Sequence, residues 1–298
     1  MKHWRICNSG ITIAALAIRD TDKNLSDYLI NRSVQSIKNS LIEYSPDGNY
    51  PEGYSYWSYG TTYAGLMFAA LHSVFNHTFG LAEWPGFAKS GKYIQYMVGT
   101  SNLNFNYYDS GPKGVLQPIL YWFAYYYNDP SLVFYNNYIL EVLKTGIAHY
   151  YLPIVLVFGS RFRKEEAIAP SNKMYYGKGI TPVILVRTSW ELGKGLSFGF
   201  KGGKPWSPHA HMDQGTFVFD SDGVRWASDL GTLDYIDLSN KGIDYWDYSQ
   251  EGQRWVVYKS TVTPHNTLTI EGEKFNVTAY SGITKIYNSS DNYLGGQN

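Results

Sequence analysis

The hydrophobic pattern of the chain changes period part-way along. From Ser9 to about Tyr151 the apolar residues fall at helical spacing: Ile11, Ala14, Ala15 and Ile18 follow i, i+3, i+4, i+7, and Val34, Ile37 and Leu41 repeat the stripe. Ser45-Pro46-Asp47-Gly48-Asn49 is a turn cluster, 63–75 is an apolar helix, and Asn128-Asp129-Pro130 separates two further aromatic-rich helices. Such helices must bury one face against a neighbour, so the pattern predicts a stack of antiparallel helix pairs. After about Ala169 the period is two. Segments 183–188, 196–200, 216–220 and 267–270 read as strands bounded by Gly and Asp turns. The charged, proline-closed stretch 161–170 is the predicted linker. The expectation is an α+β chain, with a helical domain over 1–165 and an antiparallel β domain over 172–298. The chain opens directly on a candidate site residue and stops in Gly295-Gly296-Gln297-Asn298 without a closing strand, so both domains are expected to be truncated.

Composition narrows the function. The 25 Lys and Arg balance the 25 Asp and Glu, which leaves no global positive field to draw the chain to nucleic acid or an anionic membrane. No apolar run reaches the roughly 18 residues of a membrane span, and the single cysteine, Cys7, excludes an internal disulfide. Aromatic residues make up 17% of the chain, including 28 Tyr and 9 Trp. A flat apolar face with a polar edge suits a sugar ring, so this richness points to a carbohydrate cleft; a tyrosine-rich helical core is the other reading.

Three segments carry candidate chemistry. The first is Ser207-Pro208-His209-Ala210-His211-Met212-Asp213, followed by a strand and then by Trp226-Ala227-Ser228-Asp229. On extended backbone His209 and His211 project to the same side, and an antiparallel neighbour brings Asp229 alongside. His265 opens a further strand. Two imidazoles and a carboxylate suit zinc, or an acid–base pair; a hydrogen-bonded histidine turn is the alternative. The second segment, Glu52-Gly53-Tyr54-Ser55-Tyr56-Trp57-Ser58-Tyr59-Gly60, leads from a broken loop into a helix and sets several phenols at one entrance. A phenol with a lowered pKa can exchange a proton with substrate, whereas packing between helices is the plain reading. In the third segment, His3-Trp4-Arg5-Ile6-Cys7-Asn8-Ser9, Asn8 reads as a helix cap, or else His3 and Asn8 donate hydrogen bonds to a substrate carboxylate.

These segments, with Phe200-Lys201-Gly202-Gly203 and His265-Asn266-Thr267-Leu268, occur in an order that resembles the heparinase II/III-like polysaccharide lyase family. The resemblance implies an incomplete α/α toroid followed by an antiparallel β-sandwich. It implies that Tyr56 and His209 are catalytic and that His211, Asp229 and His265 hold one structural zinc. His3 falls where relatives have an Asn-His pair on the uronate carboxylate, with Lys2 in place of the Asn. Glu52, Asn8, Tyr59, Tyr235 and Arg254 are candidate substrate contacts, with a satisfied structural arginine the preferred reading of Arg254. The implied protein is periplasmic or secreted. The implied reaction is β-elimination on a uronic-acid-containing polysaccharide, giving a 4,5-unsaturated uronate. His209 takes the C5 proton, Tyr56 protonates O4, and His3 or Asn8 stabilises the enolate-like charge. A uronyl C5-epimerase of the same fold needs the same residues. A non-catalytic carbohydrate-binding relative, and an inverting hydrolase using two of Glu52, Asp47 and Asp213, remain as alternatives.

Overall fold

The computed structural model describes residues 2–142, 150–288 and 294–297. The chain divides into two compact units: 1–48, 56–95 and 115–170 form the first, and 49–55, 96–114 and 171–298 the second. The boundary expected near 165–172 is thus crossed by two earlier segments, 49–55 and 96–114, which group with the later half.

Among the described residues seven α-helices precede the sheet: α1 (Lys2–Ala17), α2 (Lys23–Leu41), α3 (Gly53–Phe75), α4 (Ser90–Tyr96), α5 (Ile119–Tyr126), α6 (Phe134–Val142) and α7 (Leu152–Gly159). Among the described residues no helix is long and apolar enough to cross a membrane. Helix α2 starts where Asp22 caps the Leu25 amide, and it buries Ile30, Val34, Ile37 and Leu41 as its spacing predicts. Helix α1 does not follow its predicted stripe, because Ile11, Ala14 and Ile18 are exposed. Its buried face is Arg5, Asn8, Ser9, Thr12 and Ala15. Small residues let α2 approach, and the Arg5 guanidinium is neutralised by Glu43 at 2.9 Å while donating to Ser40 O at 2.8 Å. The packing reading of the aromatics holds for the core of this unit, where Trp57, Phe68, Phe87, Trp122 and Phe123 are fully buried. Phe68, Phe87 and Trp122 stand with ring centres 5.0–6.2 Å apart, mostly tilted or edge-on.

The second unit is built on a five-stranded antiparallel meander: β1 (Met174–Gly177), β2 (Val183–Arg187), β3 (Leu196–Lys201), β4 (Phe217–Ser221) and β5 (Val224–Ala227), paired in that order. After helix α8 (Tyr235–Asn240), β6 (Lys285–Asn288) and β7 (Leu294–Gln297) form a separate antiparallel pair. Residues 294–297, not expected to form a strand, are β7. Three of the four expected strands are observed. The fourth, 267–270, is irregular, with Leu268 88% and Ile270 79% exposed. Side-chain hydrogen bonds replace a strand ladder there, since the Asn266 amide donates to Phe217 O and Ser228 O and the Thr267 hydroxyl to Gln214 O. One face of the meander is buried and partly charged: Val183, Leu185, Gly199 and Val218 share it with Arg187, Lys201 and Asp220. Gly199 is required there, because a Cβ would lie 2.7 Å from the Phe105 ring. Segment 96–114 supplies Phe105 and, four residues later, Asp109.

Candidate active site

The hub of the second unit is a carboxylate that sequence reasoning did not single out. Asp109 is buried and accepts four hydrogen bonds. Its Oδ2 receives His209 Nδ1 at 3.0 Å and an Arg254 terminal nitrogen at 3.3 Å; its Oδ1 receives His211 Nε2 at 3.0 Å and the Tyr245 hydroxyl at 3.2 Å. Burial alone raises the pKa of such a carboxyl. Here the hydrogen bonds from His209 and His211, with the electrostatic pull of neighbouring His211 and the Arg254 guanidinium, outweigh burial and hold it far below the ordinary carboxylate range. The only local signal for Asp109 is an acid set in an aromatic run, Phe105-Asn106-Tyr107-Tyr108-Asp109. Its partners lie 100 or more residues away, which no spacing rule reaches.

His209 and His211 do converge, but not on extended backbone. His209 sits in a turn with φ +63°, left-handed and uncommon for a residue with a side chain. Its amide donates to the Tyr248 hydroxyl at 2.9 Å, and Tyr235, on α8, brings its hydroxyl to 3.2 Å from Nδ1. Trp246, 52% exposed, presents its ring edge-on to the imidazole with centres 5.5 Å apart. Neither Trp246 nor Tyr248 stood out in the sequence, because nothing local marks one aromatic among so many. Glu52 is buried in the same unit; burial, then the charges of Asp109 and lastly Glu52, raise the pKa of Tyr248 against the opposing Arg254 and His209 amide.

Arg254 resolves to its structural alternative. It is wholly buried, donating to Ala210 O at 2.8 Å, to Tyr245 O at 3.2 Å and to Asp109, with its guanidinium 4.0 Å from the Tyr245 ring centre. Asn8 is not a cap. It lies inside α1, and its amide donates to Trp4 O at 2.7 Å and Ser36 Oγ at 3.1 Å. Tyr56 and Tyr59 lie on α3 in the first unit, Tyr56 half-buried and Tyr59 exposed with its ring edge-on to Tyr63. The His3 side chain lies outside the described residues.

The metal expectation meets a different carboxylate. His211, Asp213 and His265 are buried, each offering one ligand atom within 4.8 Å of the others. Among the described residues His211 Nδ1, His265 Nε2 and Asp213 Oδ2 are buried with no hydrogen-bond partner. Two imidazole nitrogens and a carboxylate oxygen, left unsatisfied together, are a donor set that fits zinc. Asp229, expected among the ligands, instead places Oδ2 2.8 Å from His265 Nδ1 and accepts the Gly231 amide through Oδ1 at 2.7 Å. Burial raises its pKa, but His265, His211 and the Gly231 amide overcome this and hold it low. Gly231, at φ +61°, is obligatory, since a Cβ would lie 2.3 Å from Ser110 O. The second Asp213 oxygen is bound to Lys201 at 2.8 Å in a fully buried ion pair, which removes Asp213 from any hydrolase pair facing a sugar. His265 also lines a cavity of about 830 Å³ walled by Phe200, Phe217, Leu268, Ile270 and Phe275. Among the described lining residues there is no lysine or arginine to meet a uronate carboxylate.

Residues 188–291 match the family described as heparinase II/III-like, C-terminal. The family likeness lies in that segment. The fold of the chain extends the likeness beyond it. A crystal structure of heparinase III matches with a TM-score of 0.67 at 15% identity, covering 95% of this chain and 40% of that one. A mutant of the heparan sulfate lyase HepC from Pedobacter heparinus matches with a TM-score of 0.59 at 12% identity, over 93% and 38%. The chain thus spans about two fifths of the length of these heparinase structures, and at this identity the likeness is one of fold. No curated protein matches it by sequence. Helices followed by an antiparallel sheet, in the arrangement of part of heparinase III, agree with the change of period in the sequence.

Proposed function

We propose that this heparinase II/III-like chain serves β-elimination on a uronate-containing polysaccharide, with His209 as the base and Tyr56 as the acid. The observation that carries the reading is the His209–Asp109 pair. A carboxylate only accepts hydrogen bonds, so Nδ1 bears the proton and Nε2 the lone pair. Half-exposed Trp246 beside that ring offers a face for a sugar. The substrate class follows the heparan sulfate lyase among the structural neighbours.

In this reading Nε2 of His209 takes the C5 proton, and the C5–H electrons become the C4–C5 double bond. The C4–O4 bond breaks, and the Tyr56 phenol returns a proton to O4. Negative charge grows on the uronate carboxylate during proton removal and needs a donor, the part assigned to His3. Glu52, Tyr59 and Tyr235 are the remaining proposed substrate contacts. His211, His265 and Asp213 would hold a zinc ion, and Asp229 would orient His265 from its far side. The ion would supply cross-linking of the segments around His209 and no bond change in the sugar. The helical unit would be part of an α/α toroid and the meander one layer of a β-sandwich, in a periplasmic or secreted enzyme.

A panel of uronate polymers followed by ultraviolet absorbance of the conjugated acid tests the reaction. Tyr56→Phe is expected to lower turnover by at least about a hundredfold while oligosaccharide binding persists. Unchanged turnover in that variant would sink the assignment. Exchange of solvent deuterium into C5 without rising absorbance would make the enzyme an epimerase.

A further inference from the structure

We infer that Asp109 is a positioning residue that sets opposite tautomers on two histidines at once. It leaves Nε2 of His209 and Nδ1 of His211 as the lone-pair nitrogens. Each Asp109 oxygen lies 3.0 Å from one ring, Oδ2 from His209 Nδ1 and Oδ1 from His211 Nε2. An ionised carboxylate has no proton to give, so both facing nitrogens must donate, and a neutral imidazole carries one proton. The opposite nitrogens are thereby fixed as acceptors. For His211 that nitrogen is the buried Nδ1 without a hydrogen-bond partner, beside Asp213 and His265.

The carboxylate is itself held in place. Arg254 and Tyr245 occupy its remaining acceptor directions, and Arg254 also grips Ala210 O, between the two histidines. Left-handed backbone on both sides of the contact, φ +59° at Tyr108 and +63° at His209, persists because the surrounding bonds over-determine it. One buried carboxylate thus ties the proposed base to the proposed metal cluster. The inference rests on the β-elimination reading for the role of His209, and on geometry alone for the tautomers.

Imidazole ¹⁵N spectra of the whole chain, with and without added zinc, test it. In the wild type His209 is expected as the Nδ1–H tautomer and His211, metal-free, as Nε2–H; the reverse on either ring overturns the inference, whatever the activity. Asp109→Asn offers one acceptor and one donor in place of two acceptors, so one ring must change tautomer. With the far-ultraviolet dichroism preserved, kcat on a uronate polymer is expected to fall by about 10²–10⁴ with KM little changed. Affinity for zinc alone is expected to fall by about 10–100-fold. Retention of both tautomers and of kcat in this variant overturns the inference. If His209→Ala leaves turnover intact, the base reading fails while the tautomer spectra still decide the role of Asp109. If Asp109→Asn does not fold, the wild-type spectra alone decide.

Discussion

Two buried carboxylates, one in each unit, meet an arginine in similar surroundings and do different work. In the helical unit Glu43 faces Arg5 at 2.9 Å, both side chains almost wholly buried, and the pair joins α1 to the end of α2. In the sheet unit Asp109 faces Arg254 at 3.3 Å but also gathers two histidines and a tyrosine. The first arrangement fastens two helices together. The second ends in a buried histidine nitrogen with no partner, next to a second unsatisfied nitrogen and an unsatisfied carboxylate oxygen. A buried ion pair is therefore weak evidence of a site by itself. What distinguishes a site is the set of donors and acceptors that the pairing leaves behind.

The sharpest way to break this comparison is to remove Glu43. Glu43→Ala leaves Arg5 charged and buried without its carboxylate, which costs about 3–5 kcal/mol. Thermal and urea unfolding should show that loss, while KM and zinc affinity of the folded fraction stay as in the wild type. A change in zinc affinity would mean the two networks are not separable. Next in size is Asp229→Asn. If Asp229 only orients His265 from behind, zinc should bind about 10–100-fold more weakly, measured by competition with a chromogenic chelator. Complete loss of binding would make Asp229 a direct ligand and displace Asp213 from that part.

The two networks also differ in how far the sequence reveals them. The helices and three strands were legible because their signals are local: Val34, Ile37 and Leu41 mark the buried side of α2 within three turns. The stripe on α1 misled, because its apolar residues face outward while Arg5 and Asn8 face in. Burial of that polar side depends on Glu43 and Ser36, far along the chain. His209, His211, Asp229 and His265 stood out as rare residue types in recognisable motifs, and all four lie in the sheet unit. Asp109 did not, hidden in an aromatic run, and Asp213 was offered only as a carboxylate for a hydrolase pair, not as a ligand. Both became visible once hydrogen bonds could be assigned to particular nitrogens. Strand 267–270 failed for a related reason, since period two cannot tell a backbone ladder from side-chain bonds such as those of Asn266 and Thr267.

The smallest expected effect tests the dividing line between the two regions at a residue that the sequence offered as a substrate contact. Asn8 lies one helical turn after Arg5 on the buried side of α1, and its amide donates to Trp4 O and Ser36 Oγ. Were it a substrate donor, Asn8→Ala would raise KM or lower kcat with little change in stability. As a packing residue it should do the reverse. Removing the amide deletes two partly buried hydrogen bonds and leaves Ser36 Oγ facing an alanine, a loss of about 1 kcal/mol in unfolding free energy. Kinetic constants on a uronate polymer should match the wild type below the melting transition. A selective rise in KM without destabilisation would return Asn8 to the substrate site, and would show that a buried polar side chain with satisfied hydrogen bonds can still be recruited when a sugar carboxylate arrives.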